Sequence, residues 1–330
     1  MEAGNHFKNG ASLKSLTSKG VMAFAIIASV VFIACQKDGN KNVNDDGGTT
    51  ANGGNEWVQI ANYPGAAVAN AVAFSINGKV YVGMGQNSTQ KNDLWEYDPT
   101  TNKWTGKKDF PGTTNGVFFV INNEAYVIDQ QSNNVWQYDP IADNWTQKAT
   151  FQAATPSFGI GSGNKGYVGS YDNHIYEYNP ETDTWQSCTV FTGGNLSGMT
   201  VTSTEQNLYF IGPQNSNNFW TYDTINDKWA QKADFPVVLT YGIAFCREGI
   251  IYAGMGAEFV PAEPYSHGSY YNDIDAIYKY DTDNNSWSIS TYCPVSSLSS
   301  RVGKISVICN GKLYIGLGTG ALDFWEYSFY

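Results

Sequence analysis

The chain has 330 residues, 30 acidic and 19 basic, for a formal net charge of −11, and only 15% are charged where an average soluble domain carries roughly 25%. Aromatic residues reach 15%, with 22 Tyr, 17 Phe and 10 Trp beside 34 Gly, a mix that suits strands and turns and excludes disorder over most of the length. The acidic balance excludes nucleic acid as a natural partner, because a phosphate backbone calls for clustered Lys and Arg.

The first element is a sorting segment. Lys8, Lys14 and Lys19 precede an uncharged run, VMAFAIIASVVFIA, from Val21 to Ala34. Its 14 residues fall short of the roughly 20 that span a bilayer, so the layout predicts a cleaved signal peptide over 1–34 rather than a membrane helix. The stretch FIAC, Phe32 to Cys35, resembles the lipobox of bacterial lipoproteins, which implies cleavage before Cys35 and lipidation of its thiol. Gln36 in place of Asp implies the outer membrane, and CQKD resembles the surface-export signal of Bacteroidota lipoproteins, with Gly39 where a second acidic residue would stand. Loss of residues 1–34 removes three Lys and Glu2 and leaves a net charge of −13, so membrane attachment is expected through the lipid alone. Residues 35–55 then form the lipidated Cys and a linker: QKDGNKNVNDDGGTTANGGN holds little that is apolar beyond Val43 and cannot offset the entropy of ordering.

From residue 56 to 330 the chain repeats itself. Five times a Tyr is followed seven residues later by a Trp across a polar turn: YDPTTNKW, YDPIADNW, YNPETDTW, YDTINDKW and YDTDNNSW, ending at Trp104, Trp145, Trp185, Trp229 and Trp287. Counted from Trp57, the Trp-to-Trp spacings are 47, 41, 40, 44 and 58, which suits a unit of four short strands. The first strand of each unit is small and apolar, as in NAVAFSI and GKISVIC, and Asn77-Gly78 and Asn310-Gly311 supply two-residue hairpin turns after it. The second strand carries a Tyr, from Tyr81 to Tyr314. The third alternates aromatic residues, as in LWEY and FWEY, and the fourth starts at the Trp and reaches an aromatic six residues on, such as Phe110 or Tyr63. No stretch has helical periodicity. The repeat region opens with an unaccompanied fourth strand, Trp57 to Tyr63, and stops after three strands at FWEYSFY. The two fragments complete one another, which predicts six blades in a ring closed by the N-terminal strand.

KVYVGMG followed by QKNDLWEYDPTTNKW and a Phe-Pro resembles a kelch repeat, and the resemblance runs from Trp57 to Tyr330. It implies an all-β fold, a six-bladed β-propeller. The glycine pair that ends the second strand in such repeats is degenerate here, GMG at Gly83 to Gly85 but VID at Val127 to Asp129. The recurring Tyr and Trp are expected to be framework, so function is sought in residues that break the repeat, on the face where second-to-third strand loops meet the connections between blades.

The largest break lies there. Tyr252 and Tyr280 are 28 residues apart, against 11 to 16 in the other units, and the excess, Ala257 to Asp275, is expected to be a loop insertion in blade five. It holds Glu258, Glu263, Tyr265, His267, Tyr271 and Asp273, a mixture suited to stacking on a sugar or gripping a peptide. Tyr241 at the head of blade five's first strand joins it, with Gln86, Gln130 and Tyr171 from the loops of blades one to three. Arg301, one of two arginines in the chain, leads into blade six, where it is expected either to clamp a carboxylate in a bidentate pair or to serve a salt bridge.

Other patterns lack the chemistry they imitate. Gly161, Gly163 and Gly166 have dinucleotide-loop spacing but sit at a hairpin with no helix to hold phosphate. Asp281, Asp283 and Asn285 resemble a calcium loop, yet Ser286 and Tyr292 stand where Gly and Glu are needed. No metal site and no cofactor is expected, and pairing among Cys188, Cys246, Cys293 and Cys309 is open. The expected function is a non-enzymatic lipoprotein of the outer membrane or cell surface that binds a glycan or a surface protein through its loop-rich face. The alternative is a carbohydrate-active enzyme resembling N-acetylneuraminate epimerase, which shares the six-bladed kelch plan. Arg301 would then hold a sugar carboxylate while Glu258, Glu263 or His267 moves protons. The two-Tyr, two-His copper constellation of the related galactose oxidase propeller is not present.

Overall fold

The computed structural model describes residues 56–113, 116–212, 216–260, 270–299 and 301–329. The signal segment, Cys35 and the linker over 36–55 lie outside the described residues, as do Glu263, Tyr265 and His267.

Six antiparallel sheets make a β-propeller. Blade one is Val72–Ile76, Lys79–Gly83, Leu94–Asp98 and Lys103–Lys107, each strand paired with the next. Blades two, three and four repeat the order, starting at Val117, Pro156 and Thr200. Blade six takes Ile305–Cys309, Lys312–Gly316 and Phe324–Ser328 from the end of the chain and its outer strand, Glu56–Ile60, from the beginning, in a register that sets Trp57 opposite Tyr327. The predicted closure is what the structure shows.

The local chemistry explains the repetition. Asn77 and Asn310 adopt φ values of 50° and 52°, with Gly78 and Gly311 at 72°, as a two-residue hairpin turn requires. In blades one to five the third-strand Tyr reaches an Asx five residues on, itself in the left-handed region. Tyr97 Oη donates to Asn102 Oδ1 at 2.9 Å, Tyr138 to Asp143 at 2.7 Å, and Tyr178, Tyr222 and Tyr280 to Asp183, Asp227 and Asn285 at 2.6 Å.

The same Asx oxygen accepts a backbone N–H from the preceding blade, and that residue's carbonyl accepts the Trp indole. Lys108 thus donates to Asp143 at 2.9 Å and accepts from Trp145 Nε1 at 3.0 Å. Ala61, Ala149, Thr189 and Ala233 play the same part toward Trp104, Trp185, Trp229 and Trp287. The motif Tyr-x4-Asx-x-Trp is therefore a clamp that closes one blade on the last. It also satisfies polar groups that burial would otherwise strand.

Two expectations need revision. The blade-five insertion is not a loop at its base: Ile250–Val260 and Tyr270–Asp281 form a long hairpin paired out to Val260 opposite Tyr270. Only 261–269, its tip, lies outside the described residues. A short helix, Ser296–Ser299, links blades five and six where no helical period was visible. Cys246, Cys293 and Cys309 are buried free thiols and Cys188 is a half-buried one.

Candidate ligand-binding face

The long hairpin rises from the face that carries the second-to-third strand connections. At its base the pairing with the blade's first strand is interrupted by two residues on each side. Thr240 pairs with Ala257 and Ile243 with Gly254, leaving Tyr241 and Gly242 across from Met255 and Gly256. Tyr241 and Met255 take positive φ values of 54° and 48°, strained settings for large side chains. The Met255 side chain fills the core and is fully buried, whereas Tyr241 stays half-buried at the surface.

Alternate residues on the returning strand line one side of the hairpin, as the two-residue period of a strand requires. Tyr271 is 50% exposed, and its ring stands 6.4 Å from that of Tyr241 at an interplanar angle of 41°. Asp273 is exposed and lies close enough to Lys304 to act on its charge. Asp275 acts likewise on Cys293, and its backbone carbonyl accepts from the Cys293 N–H at 2.8 Å. Burial first, and then Asp275, push the Cys293 thiol up to about 11, so it is a packed thiol and not a nucleophile.

Beneath this face is Lys304. It is 2% exposed, and its ammonium donates to the carbonyls of Tyr241 at 2.5 Å, Ser299 at 2.8 Å and Arg301 at 3.4 Å. Burial, followed by the Arg301 guanidinium, pushes it down to about 7.

Arg301 is already engaged. Nη1 and Nη2 grip Asp323 Oδ1 and Oδ2 at 2.7 and 3.2 Å, and Nη1 also donates to the Leu317 carbonyl at 3.0 Å. Burial raises the Asp323 carboxyl, but Arg301 and the Trp325 indole outweigh it and hold it below the usual carboxylate range. The pair braces the inside of blade six.

The structure therefore gathers Tyr241 and Arg301 at the seam of blades five and six, with Lys304 touching both backbones. Gln86, Gln130 and Tyr171 stand apart in blades one, two and three. Gln86 exchanges backbone hydrogen bonds with Ala69 at 2.9 and 3.0 Å, Gln130 Nε2 donates to the Pro156 carbonyl at 3.2 Å, and Tyr171 is 40% exposed. Among the described residues, no group of three or more His, Cys, Asp or Glu side chains is placed to hold a metal ion. Sequence reasoning passed over Lys304. The available signal was a charged residue heading a first strand, GKISVIC, where blades two and five have glycine, Gly116 and Gly242.

These features define a six-bladed kelch-type β-propeller with a long hairpin at one seam. A kelch motif matches residues 67–110. Among curated proteins the chain is similar to N-acetylneuraminate epimerase 1 of Escherichia coli O6:H1, 24% identical over 263 residues that cover 70% of this chain and 68% of that protein. It is also similar to N-acetylneuraminate epimerase of Yersinia enterocolitica, 39% identical over 56 residues, and of Pasteurella multocida, 41% identical over 56 residues. Those two matches span only 14% and 15% of the relatives' length. The solved structure described as "Structure of YjhT" superposes with a TM-score of 0.64 at 16% identity, covering 81% of this chain and 95% of that one, a likeness of fold.

Proposed function

We propose that this propeller is a carbohydrate-binding lipoprotein whose site is the blade-five hairpin and the blade five–six seam. The observation that carries it is the exposed Tyr271 ring beside Tyr241, with Asp273 two residues along the same side of the strand. An aromatic face with an adjacent carboxylate suits the apolar face and hydroxyl edge of a sugar ring. The relatives named for a sugar epimerase support a sugar in preference to a protein partner. Saturation-transfer NMR with a panel of neutral, amino and acidic monosaccharides tests this. Signals that vanish in Tyr271→Ala support it, and equal signals in the variant, or none in the wild type, overturn it.

A second reading has support in the similarity to N-acetylneuraminate epimerase 1 over 70% of the chain. In that reading the protein accelerates interconversion of sialic acid anomers. Arg301 would have to leave Asp323 to receive the sugar carboxylate. Following the anomer ratio of N-acetylneuraminate by NMR after dissolution decides it, since a rate equal to that of buffer removes the idea. The anchor is proposed from FIAC: metabolic labelling with an alkynyl fatty acid should mark the wild type and not Cys35→Ser.

A further inference from the structure

The seam between blades five and six lacks the clamp that closes the others. No Tyr-to-Trp turn joins its outer strands, because blade six takes them from residues 324–328 and 56–60. The Trp57 indole N–H has no partner among the described residues, although in every other blade this group bonds the blade before. A second irregularity coincides with it. Cys293 occupies the place of the aromatic found six residues after Trp in the other blades, and a bulge separates Ile277 from Tyr278. Two cation-to-carbonyl bonds cross this seam instead. Arg247 Nε of blade five donates to Gly311 O of blade six at 3.1 Å, and on the hairpin side Lys304 Nζ donates back to Tyr241 O.

We propose that Lys304 is the positioning residue of the ligand-binding face, its ammonium tying Tyr241 of blade five to the Ser296–Ser299 helix and to Arg301, and so fixing the Tyr241–Tyr271 surface. Tyr241 is a bulky residue held at positive φ, and such a setting persists only where its surroundings over-determine it. Lys304 is the group that grips its carbonyl. The three acceptors belong to two separate stretches of the chain, 241 and 299–301, so releasing the ammonium frees both at once.

The latch depends on charge. An ammonium has three N–H donors for three carbonyls; a neutral amine has two and turns a lone pair toward the remaining one. The charged and titratable groups around it are Arg301, which opposes its charge, Asp273 of the hairpin and the Cys293 thiol, which favour it, and behind them Asp275 and Asp323. The loss of one bond is outweighed: in the closed seam the ammonium is pushed down to about 7, so an opening that returns it to water takes up a proton, and the seam is looser in mildly acid solution and tightens as pH rises. The consequence for binding rests on the carbohydrate reading; the latch does not.

Amide hydrogen exchange on the full chain tests it, expressed as protection factors so that intrinsic pH effects cancel. Between pH 6 and pH 9, wild-type protection over 239–243 and 296–304 should rise about ten-fold, with no change over 117–128 of blade two. Lys304→Met should show low protection at both pH values, and Lys304→Arg, charged throughout, should abolish the step. If the Met variant does not fold, the Arg variant decides alone. Wild-type protection in Lys304→Met, a step that survives in Lys304→Arg, or no step in the wild type overturns the proposal. A wild type that shows the step but binds no sugar at either pH keeps the latch and loses the carbohydrate reading.

Discussion

Five seams of this ring are closed by hydrogen bonds between a Tyr, an Asn or Asp, a Trp and the backbone of the preceding blade; the sixth is crossed by a lysine and an arginine. The clamped seams are alike to within a few tenths of an ångström and carry no charge that titrates near neutrality. The five–six seam carries a buried ammonium, a strained tyrosine, a hairpin and a linking helix. Ring closure explains why the difference falls there. The two ends of the repeat region pair within blade six, so its third and fourth strands lack the covalent turn that would clamp it to blade five, and other residues brace that seam. Those residues are free to differ from the repeat, and the proposed ligand face lies where repetition was already broken.

The strongest way to break this comparison is to damage a clamped seam. Trp185 bonds Ala149 O at 3.0 Å and packs on Phe151 and Tyr178, with centroids 5.0 and 4.8 Å away. Trp185→Ala should cost about 3–5 kcal/mol by urea unfolding. If the clamp is framework only, sugar binding at temperatures where the variant stays folded should be unchanged.

The next effect is electrostatic. Lys304 has a folded value of about 7 against an ordinary 10.5, so between these values the native chain holds fewer protons than the unfolded one. Its contribution to unfolding free energy therefore rises with pH across that window, by at most about 1.4 kcal/mol per unit, and the stability is lost as pH falls toward 7. Urea midpoints at pH 7.5 and 9.5 should diverge in the wild type and converge in Lys304→Met. Equal slopes would mean that the ammonium keeps its charge throughout. The latch follows the same sign, since opening the seam also returns the amine to water.

A smaller effect isolates the clamp bond itself. Trp185→Phe and Trp57→Phe remove the same volume, but only the first removes a made hydrogen bond. The first should be the more damaging by about 1 kcal/mol. Equal losses would show that the Trp57 indole finds a partner in solution.

Local repetition made the framework legible. A Tyr-x4-Asx-x-Trp turn encodes its own geometry within eight residues, and the orphan strand at Trp57 announced the closure because a propeller has no use for a lone fourth strand. The site was legible only in outline. Polar residues with Pro261 and Pro264 among them read as a loop, and the alternation of Tyr271, Asp273 and Asp275 gives no apolar stripe to mark a strand. A salt bridge for Arg301 could be expected from the sequence, but not its partner, Asp323, which lies 22 residues further on. The burial of Lys304 was not legible, since it depends on a helix and a hairpin folding over it from elsewhere in the chain.

The smallest stability change should accompany the largest functional one. Tyr271 is half exposed and sits on the arm of a hairpin away from every clamp, so Tyr271→Ala should shift stability by less than about 0.5 kcal/mol. A stacked aromatic is worth about 1–3 kcal/mol to a ring ligand, so the same substitution should weaken sugar binding about ten-fold or more by calorimetry. Trp185→Ala is its mirror image, costly to the fold and silent in binding. Should both substitutions weaken binding alike, the seam would not be separable from the ring, and the ligand face would belong to the propeller as a whole.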